Sequence, residues 1–307
     1  MFKKVCLLSL IVALFVGLFS PHDSMAQATV SGAKWMESID DSKSLASLSI
    51  PGTHDSGALY ESYKNTAKCQ DLTIAEQLSI GVRYLDIRNR HYEDSFRIYH
   101  GSEDQKQTFD DVLTSIYAFL KENPSETILM HVKEEYNPYK TTRSFEATFD
   151  TYVAKNPSKW LLTDKIPTLG EARGKIVLVR RFDATQLPKG IDVMGWKDNT
   201  TFTIEKTNAN LKIQDYYKVT DSNKKWNDIQ SMYNEANTKN SSWLYINYTS
   251  GYKPGWFGIP DIRKISDYIN PKVAEYFTTN TRGRYGISAM DFIDSNLASK
   301  IIATNFE

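Results

Sequence analysis

Six residues of the chain have the types and positions needed for proton and phosphoryl transfer: His54, Asp55, Asp86, Arg88, His100 and Asp291. Each follows or ends a short apolar run: "LSIPGTHD" delivers His54 and Asp55, "VRYLDIR" Asp86 and Arg88, "FRIYHG" His100, and "YGISAMDF" Asp291. Imidazole titrates near neutral pH, so one histidine can remove a proton while another returns one. An arginine beside them can meet a phosphate with paired N–H donors and offset its growing charge. An aspartate behind each imidazole fixes its tautomer. Together they suit phosphoryl transfer without a metal. Further strand ends bring Lys133 and Glu135, Arg181, and Asp215 with Tyr217. Charged groups at so many strand exits are costly to bury singly and predict one shared polar cavity.

The elements that must carry these residues are legible as apolar runs. Eight are strand-like: 45–50, 82–87, 96–100, 127–132, 175–182, 211–216, 243–249 and 285–292. Helical periodicity separates several of them. Phe109, Val112, Leu113, Ile116 and Leu120 recur at helical spacing, with Thr108 as a cap and Pro124 as a stop. Residues 143–157 repeat the pattern, and 262–280 predict a helix broken near Pro271. Alternating strands and helices imply an α/β chain with a parallel sheet, and eight strands an irregular TIM-type (β/α)8 barrel. Chemistry then gathers beyond the strand C-termini. The gap between the second and third runs is too short for a crossover helix, which is where irregularity is expected.

The first 28 residues differ from the rest. Lys3 and Lys4 precede the apolar run "VCLLSLIVALFVGLF", and Ala26-Gln27-Ala28 offers a cleavage site. This pattern predicts a secretory signal peptide over 1–28 and a single catalytic domain over 29–307. Removing Lys3, Lys4 and Asp23 from 37 basic and 37 acidic residues leaves 35 and 36. Such a balance gives no field for nucleic acid. Cys69 is the only cysteine left, so the mature chain has no intramolecular disulfide. Structural zinc sites built on four cysteines, or on two cysteines with two histidines, are excluded by the same count. Asp55, Asp86, Glu135 and Asp291 could instead gather Ca²⁺ or Mg²⁺, but Arg88, Lys133 and Arg181 compete for that place, so no metal or other cofactor is expected. Nucleotide-cradle and zincin motifs are absent. His91 and His131 are expected to be a surface residue and an ordinary strand residue.

The segments "LSIPGTHDSG", "VRYLDIR", "YHG", "NPSETILMHVKEEY", "ARGKIVLVRRF", "IQDYYKV" and "ISAMDFI" together resemble the bacterial phosphatidylinositol-specific phospholipase C family, in its secreted Gram-positive form. The resemblance runs from about Trp35 to about Ala303. It implies an irregular barrel and metal-independent cleavage of phosphatidylinositol to diacylglycerol and inositol 1,2-cyclic phosphate, followed by slow opening of the cyclic product. It implies His54 as general base held by Asp291, His100 as general acid assisted by Asp55, and Arg88 on the phosphate beside Asp86. Lys133, Arg181, Asp215 and Tyr217 would line the inositol pocket. The partner implied is phosphatidylinositol in a membrane surface, with release of glycosyl-phosphatidylinositol-anchored proteins and no obligate protein partner. Some relatives carry a rim tryptophan on a short helix after the first strand; residues 59–72 here have none. The loop "SGYKPGWFGIP" supplies Trp256 and Phe257 as a membrane-interface anchor. A metal-dependent glycerophosphodiesterase and a non-catalytic inositol- or glycan-binding barrel are the alternatives. Arg88 argues against the first, and the pair of proton-transfer groups against the second.

Overall fold

The computed structural model describes residues 31–306, so the expected leader over 1–28 lies outside the described residues. Fourteen strands are described: β1 (Ser49–Thr53), β2 (Tyr84–Tyr92), β3 (Ser95–His100), β4 (Glu103–Thr108), β5 (Ile128–Glu134), β6 (Trp160–Leu161), β7 (Ile176–Arg181), β8 (Ile191–Asp192), β9 (Thr201–Glu205), β10 (Asn210–Gln214), β11 (Leu244–Tyr248), β12 (Lys253–Pro254), β13 (Pro260–Asp261) and β14 (Gly286–Met290). The main sheet runs β6-β7-β5-β2-β1-β14-β11-β10-β9. From β7 round to β10 every neighbouring pair is parallel.

Seven of the eight expected runs supply these parallel strands. The eighth, 96–100, forms β3, which pairs antiparallel with β2 and then with β4. Only Glu93 and Asp94 join β2 to β3, and both adopt positive φ (49° and 55°). A two-residue link of this kind closes a hairpin, not a crossover. The sheet therefore curls without closing: β6 and β8 sit on the outer edge of β7, and β9 covers β10 in antiparallel register. The architecture is an open, irregular TIM-type barrel with helices around it.

The strand period of two sorts the apolar residues into two layers. Ile50, Tyr84, Leu129, Val177, Val179, Leu211, Ile213, Leu244, Ile246, Ile287 and Ala289 face inward and fill the barrel. Leu85, Ile87, Met130, Val132, Leu178 and Met290 face outward, beneath the helices. After the short helix α1 (Ile74–Ser79), helix α2 (Phe109–Glu122) lays Phe109, Val112, Leu113, Ile116, Phe119 and Leu120 on that outer layer, and its Thr108 cap forms a reciprocal capping box with Asp111. Helix α3 (Phe145–Lys155) follows the same plan from a Ser144 cap. The break expected near Pro271 does not occur: one helix runs from Arg263 to Thr279. A mid-helix proline costs about 3 kcal/mol, and the buried face of Ile265, Ile269, Val273 and Phe277 holds the helix through it.

His91 also departs from expectation. It is 2% exposed, bonds Thr148 Oγ1 at 2.8 Å and meets the edges of Phe96 and Phe145. Because β2 continues to Tyr92, the alternation of the strand turns His91 outward, under α3.

Candidate active site

The inward positions that fill the barrel with apolar side chains lower down become polar at the strand C-termini. Ile50 is followed two residues at a time by Gly52 and His54, Tyr84 by Asp86 and Arg88, Val179 by Arg181, Ile213 by Asp215, and Ala289 by Asp291. Gly52 leaves room for a neighbour: a Cβ there would lie 2.9 Å from that of Tyr84. The polar ends converge on a cavity of about 370 Å³, lined by His54, Arg88, His100, Lys133, Glu135, Arg181, Trp196, Asp215, Tyr217 and Asp291 among others.

His54 is held by Asp291 Oδ1, 2.7 Å from its Nδ1, and the other oxygen of Asp291 accepts from Gly251 N–H. His100 extends from the β3–β4 turn, its ring centroid 6.0 Å from that of His54 and nearly perpendicular to it. Its Nδ1 donates to the carbonyl of Ala67 at 2.6 Å, while Asp55 Oδ2 stands farther off at 3.8 Å. Both Nδ1 atoms are thus occupied, and each Nε2 remains for the cavity. Burial, reinforced by Arg88, lowers the His100 pKa.

Arg88 binds Asp86 Oδ2 through Nε and Nη2 (3.3 and 3.1 Å) and lies 3.6 Å from Asp55. Asp86 also accepts from His131 Nδ1 at 2.7 Å and from the Asp55 backbone N–H. Burial works against the charge of Asp86, but Arg88 and His131 prevail and hold its carboxyl well below the usual range. Asp55 has the opposite fate. It is fully buried at a φ of 38°, neither oxygen has a hydrogen-bond partner among the described residues, and burial pushes its pKa up to about 8.

Adjacent-strand register places Arg88 opposite Lys133 and Lys133 opposite Arg181. Three cations side by side repel one another and favour an anion in front of them. Lys133 is paired with Glu135 at 2.5 Å, and Glu135 also accepts from Gly101 N–H. Arg181 lies over the Trp196 ring at 4.4 Å, and burial lowers its pKa. Trp196 in turn donates to Asp215 at 2.8 Å; burial raises the Asp215 pKa. Tyr217 donates to Asp198 at 2.7 Å.

All ten expected catalytic and pocket residues lie in or directly behind this cavity. Two site residues were not expected from the sequence: Trp196, and Tyr248, whose ring meets that of His54 at 5.9 Å and whose hydroxyl pairs with that of Tyr84. Glu135 was weighed only as a cation ligand and His131 only as an ordinary strand residue. His131 is buried, orients Asp86 and stacks on Trp196 at 5.2 Å. A signal for it existed: in "LMHVK" it shares the inward phase of Leu129 and Lys133. Trp196 had none, because its loop shows no strand period.

At the rim, the loop holding β12 and β13 carries Trp256 and Phe257, 87% and 98% exposed, with Ile259 and Tyr63 exposed beside them. The two rings do not fold back onto the barrel. Residues 59–72 form no helix.

Residues 48–182 match the family model "Phosphatidylinositol-specific phospholipase C, X domain". The chain is 32% identical to a 1-phosphatidylinositol phosphodiesterase of Staphylococcus aureus (strain NCTC 8325 / PS 47), over 98% of both chains. The chain belongs to the bacterial phosphatidylinositol-specific phospholipase C family. A 1-phosphatidylinositol phosphodiesterase of Listeria monocytogenes is 30% identical over 90% of this chain and 86% of its own. A variant phosphatidylinositol-specific phospholipase C from Staphylococcus aureus superposes with a TM-score of 0.82 at 30% identity, over 91% of this chain and 99% of the other. The Listeria monocytogenes enzyme gives 0.73 at 28% identity, over 91% and 100%. Membership of this family makes the chain an enzyme of the phosphodiester-cleaving, lyase type.

Proposed function

We propose that this phospholipase C cleaves phosphatidylinositol by metal-independent acid–base catalysis. His54 Nε2 takes the proton of the inositol 2-hydroxyl, and that oxygen attacks the phosphorus it is already tethered beside, so little entropy is lost. The bond from phosphorus to the diacylglycerol oxygen breaks, and His100 Nε2 protonates the departing oxygen. The products are diacylglycerol and inositol 1,2-cyclic phosphate, which water opens slowly in a second step with the two histidines exchanging roles. Arg88, oriented by Asp86 and His131, meets the non-bridging oxygens. The Asp55–His100 pair shares one titratable proton near neutral pH, because burial favours the neutral form of both. With Nδ1–H committed to the Ala67 carbonyl, the reactive state is the one in which that proton sits on His100 Nε2 with Asp55 as carboxylate, and from Nε2 it passes to the leaving oxygen. Lys133, Arg181, Asp215 and Tyr217 bind inositol hydroxyls.

The observation that carries this mechanism is the pair of imidazoles that line one cavity with Arg88, their ring centroids 6.0 Å apart, each tied at Nδ1 and free at Nε2. Arg88 stands between the carboxylates of Asp55 and Asp86, in the place a divalent cation would take. Trp256 and Phe257 dock the mouth on the lipid surface. The leader over 1–28 sends the 29–307 catalytic domain out of the cell, where glycosyl-phosphatidylinositol anchors of host surfaces are accessible. The test is phosphorus NMR of the water-soluble product from phosphatidylinositol vesicles in excess EDTA. A cyclic phosphate appearing first is expected. Inositol 1-phosphate formed directly, or turnover only after Ca²⁺ is restored, overturns the mechanism.

A further inference from the structure

Beside the catalytic pair, Cys69, which the proposed mechanism does not use, completes a donor set with two groups that it does. His54, Cys69 and Asp291 bring a ring nitrogen, a sulfur and a carboxylate oxygen within 4.8 Å of one another. Three separate segments supply them: the exit of β1, the loop after Ala58, and the exit of β14. Cys69 is anchored on both sides of its Cα. Its N–H donates to Ala58 O and its carbonyl accepts from Phe292 N–H, both at 2.8 Å. The next side chain, Gln70, donates to the carbonyls of His54 and Met290. The thiol is therefore fixed relative to both strand ends. It is wholly buried, with its sulfur 3.7 Å from His100 Nδ1. Asp55, buried and without a hydrogen-bond partner for either oxygen, approaches that same nitrogen. Buried polar groups normally find partners. A thiol and two carboxyls gathered around two imidazoles are rich in electron-pair donors.

We propose that His54, Cys69 and Asp291 form a binding site for a thiophilic divalent cation of the Zn²⁺ class, and that the bound ion blocks the enzyme. Zn²⁺ accepts sulfur, imidazole and carboxylate at about 2.0–2.3 Å in tetrahedral geometry. Such bonds set ligand atoms about 3.3–3.7 Å apart, which the three reach by small side-chain rotations. The ion replaces the proton shared by His54 and Asp291, and the thiol proton leaves to solvent. The fourth coordination position faces the cavity that His54 and Asp291 line, which is also the route of entry. A sulfur and a single carboxylate suit Ca²⁺ and Mg²⁺ poorly. Blockade follows from the ligation. If Nδ1 binds the ion, Nε2 keeps its proton. If Nε2 binds it, the lone pair is occupied. In either case His54 cannot act as a base. This last step rests on the proposed role of His54, whereas the site itself does not.

The experiment uses the mature chain, in which Cys69 is the only cysteine, with Cd²⁺ as spectroscopic probe and chelator-buffered Zn²⁺ as inhibitor. Wild type, Cys69→Ser and Cys69→Ala are compared, with thermal unfolding to verify folding. Wild type is expected to give a one-to-one thiolate-to-cadmium charge-transfer band in the ultraviolet. Zn²⁺ is expected to inhibit it at concentrations about 10–100-fold lower than either variant, the scale on which even supporting groups alter metal affinity. Activity in chelator should be equal in all three. Absence of the band in wild type overturns the site, and this arm needs no variant to fold. A band accompanied by equal Zn²⁺ midpoints overturns the blockade. Failure to turn over phosphatidylinositol in chelator counts against the proposed function and leaves the band to decide the site.

Discussion

Replacing Asp55 by Asn should make the protein more stable and the enzyme far slower. The carboxyl titrates at about 8 in the folded chain and at 3.8 as a free group. Near pH 7 the unfolded chain therefore carries it ionised and the native fold carries it neutral. Between roughly pH 4 and pH 8 the unfolded state binds fewer protons, so this group lowers stability by up to about 1.4 kcal/mol for each unit of rising pH. Integrated to pH 7, the ceiling is about 4 kcal/mol. Relaxation around the buried carboxyl brings the expected gain to about 1–3 kcal/mol. Asn has nearly the same shape, cannot ionise, and is among the residues that tolerate the positive φ of 38° found here. For a chain of this size, the gain corresponds to a rise of about 2–5 °C in the midpoint of unfolding. Unfolding followed by circular dichroism at pH 4.5 and pH 7.5 checks the sign: the two proteins should converge at the lower pH and separate at the higher. Turnover of a soluble substrate should fall about 10²-fold or more, since the proton-holding partner of His100 is gone. An Asp55→Asn protein less stable than wild type at pH 7.5, or a difference independent of pH, would refute the claim that Asp55 is held neutral.

His54→Ala and His100→Ala should each lower turnover by about 10²–10⁴-fold with the fold intact; His91→Ala should keep its turnover per folded molecule while losing about 1–3 kcal/mol of stability, seen as a lower denaturant midpoint. His131→Ala removes the bond that aims Asp86 at Arg88, so kcat should fall about 10-fold with a smaller change in KM, and His131→Asn should restore part of it; equal kcat in wild type and His131→Ala would remove His131 from the site. The double change Trp256→Ala, Phe257→Ala should weaken vesicle sedimentation strongly, since each large apolar side chain contributes roughly 1.5–3 kcal/mol when buried. Cleavage of a short-chain soluble substrate should be unchanged, and parallel losses in both assays would place the rings in the pocket instead.

The strands, the two layers and most of the cavity were legible because the strand period is local. Once "TILMHV" or "YGISAM" is a strand, the phase of its apolar residues decides which polar residue at its end faces inward. The helix cap at Thr108 and the convergence of His54, Arg88, His100 and Asp291 at one mouth were equally open to view. What stayed hidden depends on contacts between distant segments. The antiparallel pairing of the strand that carries His100 was signalled only by the short gap before it, because "FRIYH" has the same apolar signature whichever way it pairs. Pro271 signals a break, yet the helix continues because its buried face outweighs the missing hydrogen bond. His91 looks exposed amid charged neighbours and is buried because α3 packs over it.

Composition and motif spacing alone determined the class of chemistry, the near-neutral charge and the single cysteine beyond residue 28. Tertiary structure alone decided which partner each ionisable group receives. Asp55 and Asp86 are equally buried aspartates, 31 positions apart, yet Arg88 and His131 keep one ionised while the other, without a hydrogen bond, is driven neutral. The same holds for Cys69, which reaches His54 and Asp291 only when β1 and β14 lie side by side. A pKa and a ligand set depend on distances of a few ångströms between residues far apart in the chain, and only folding fixes those distances.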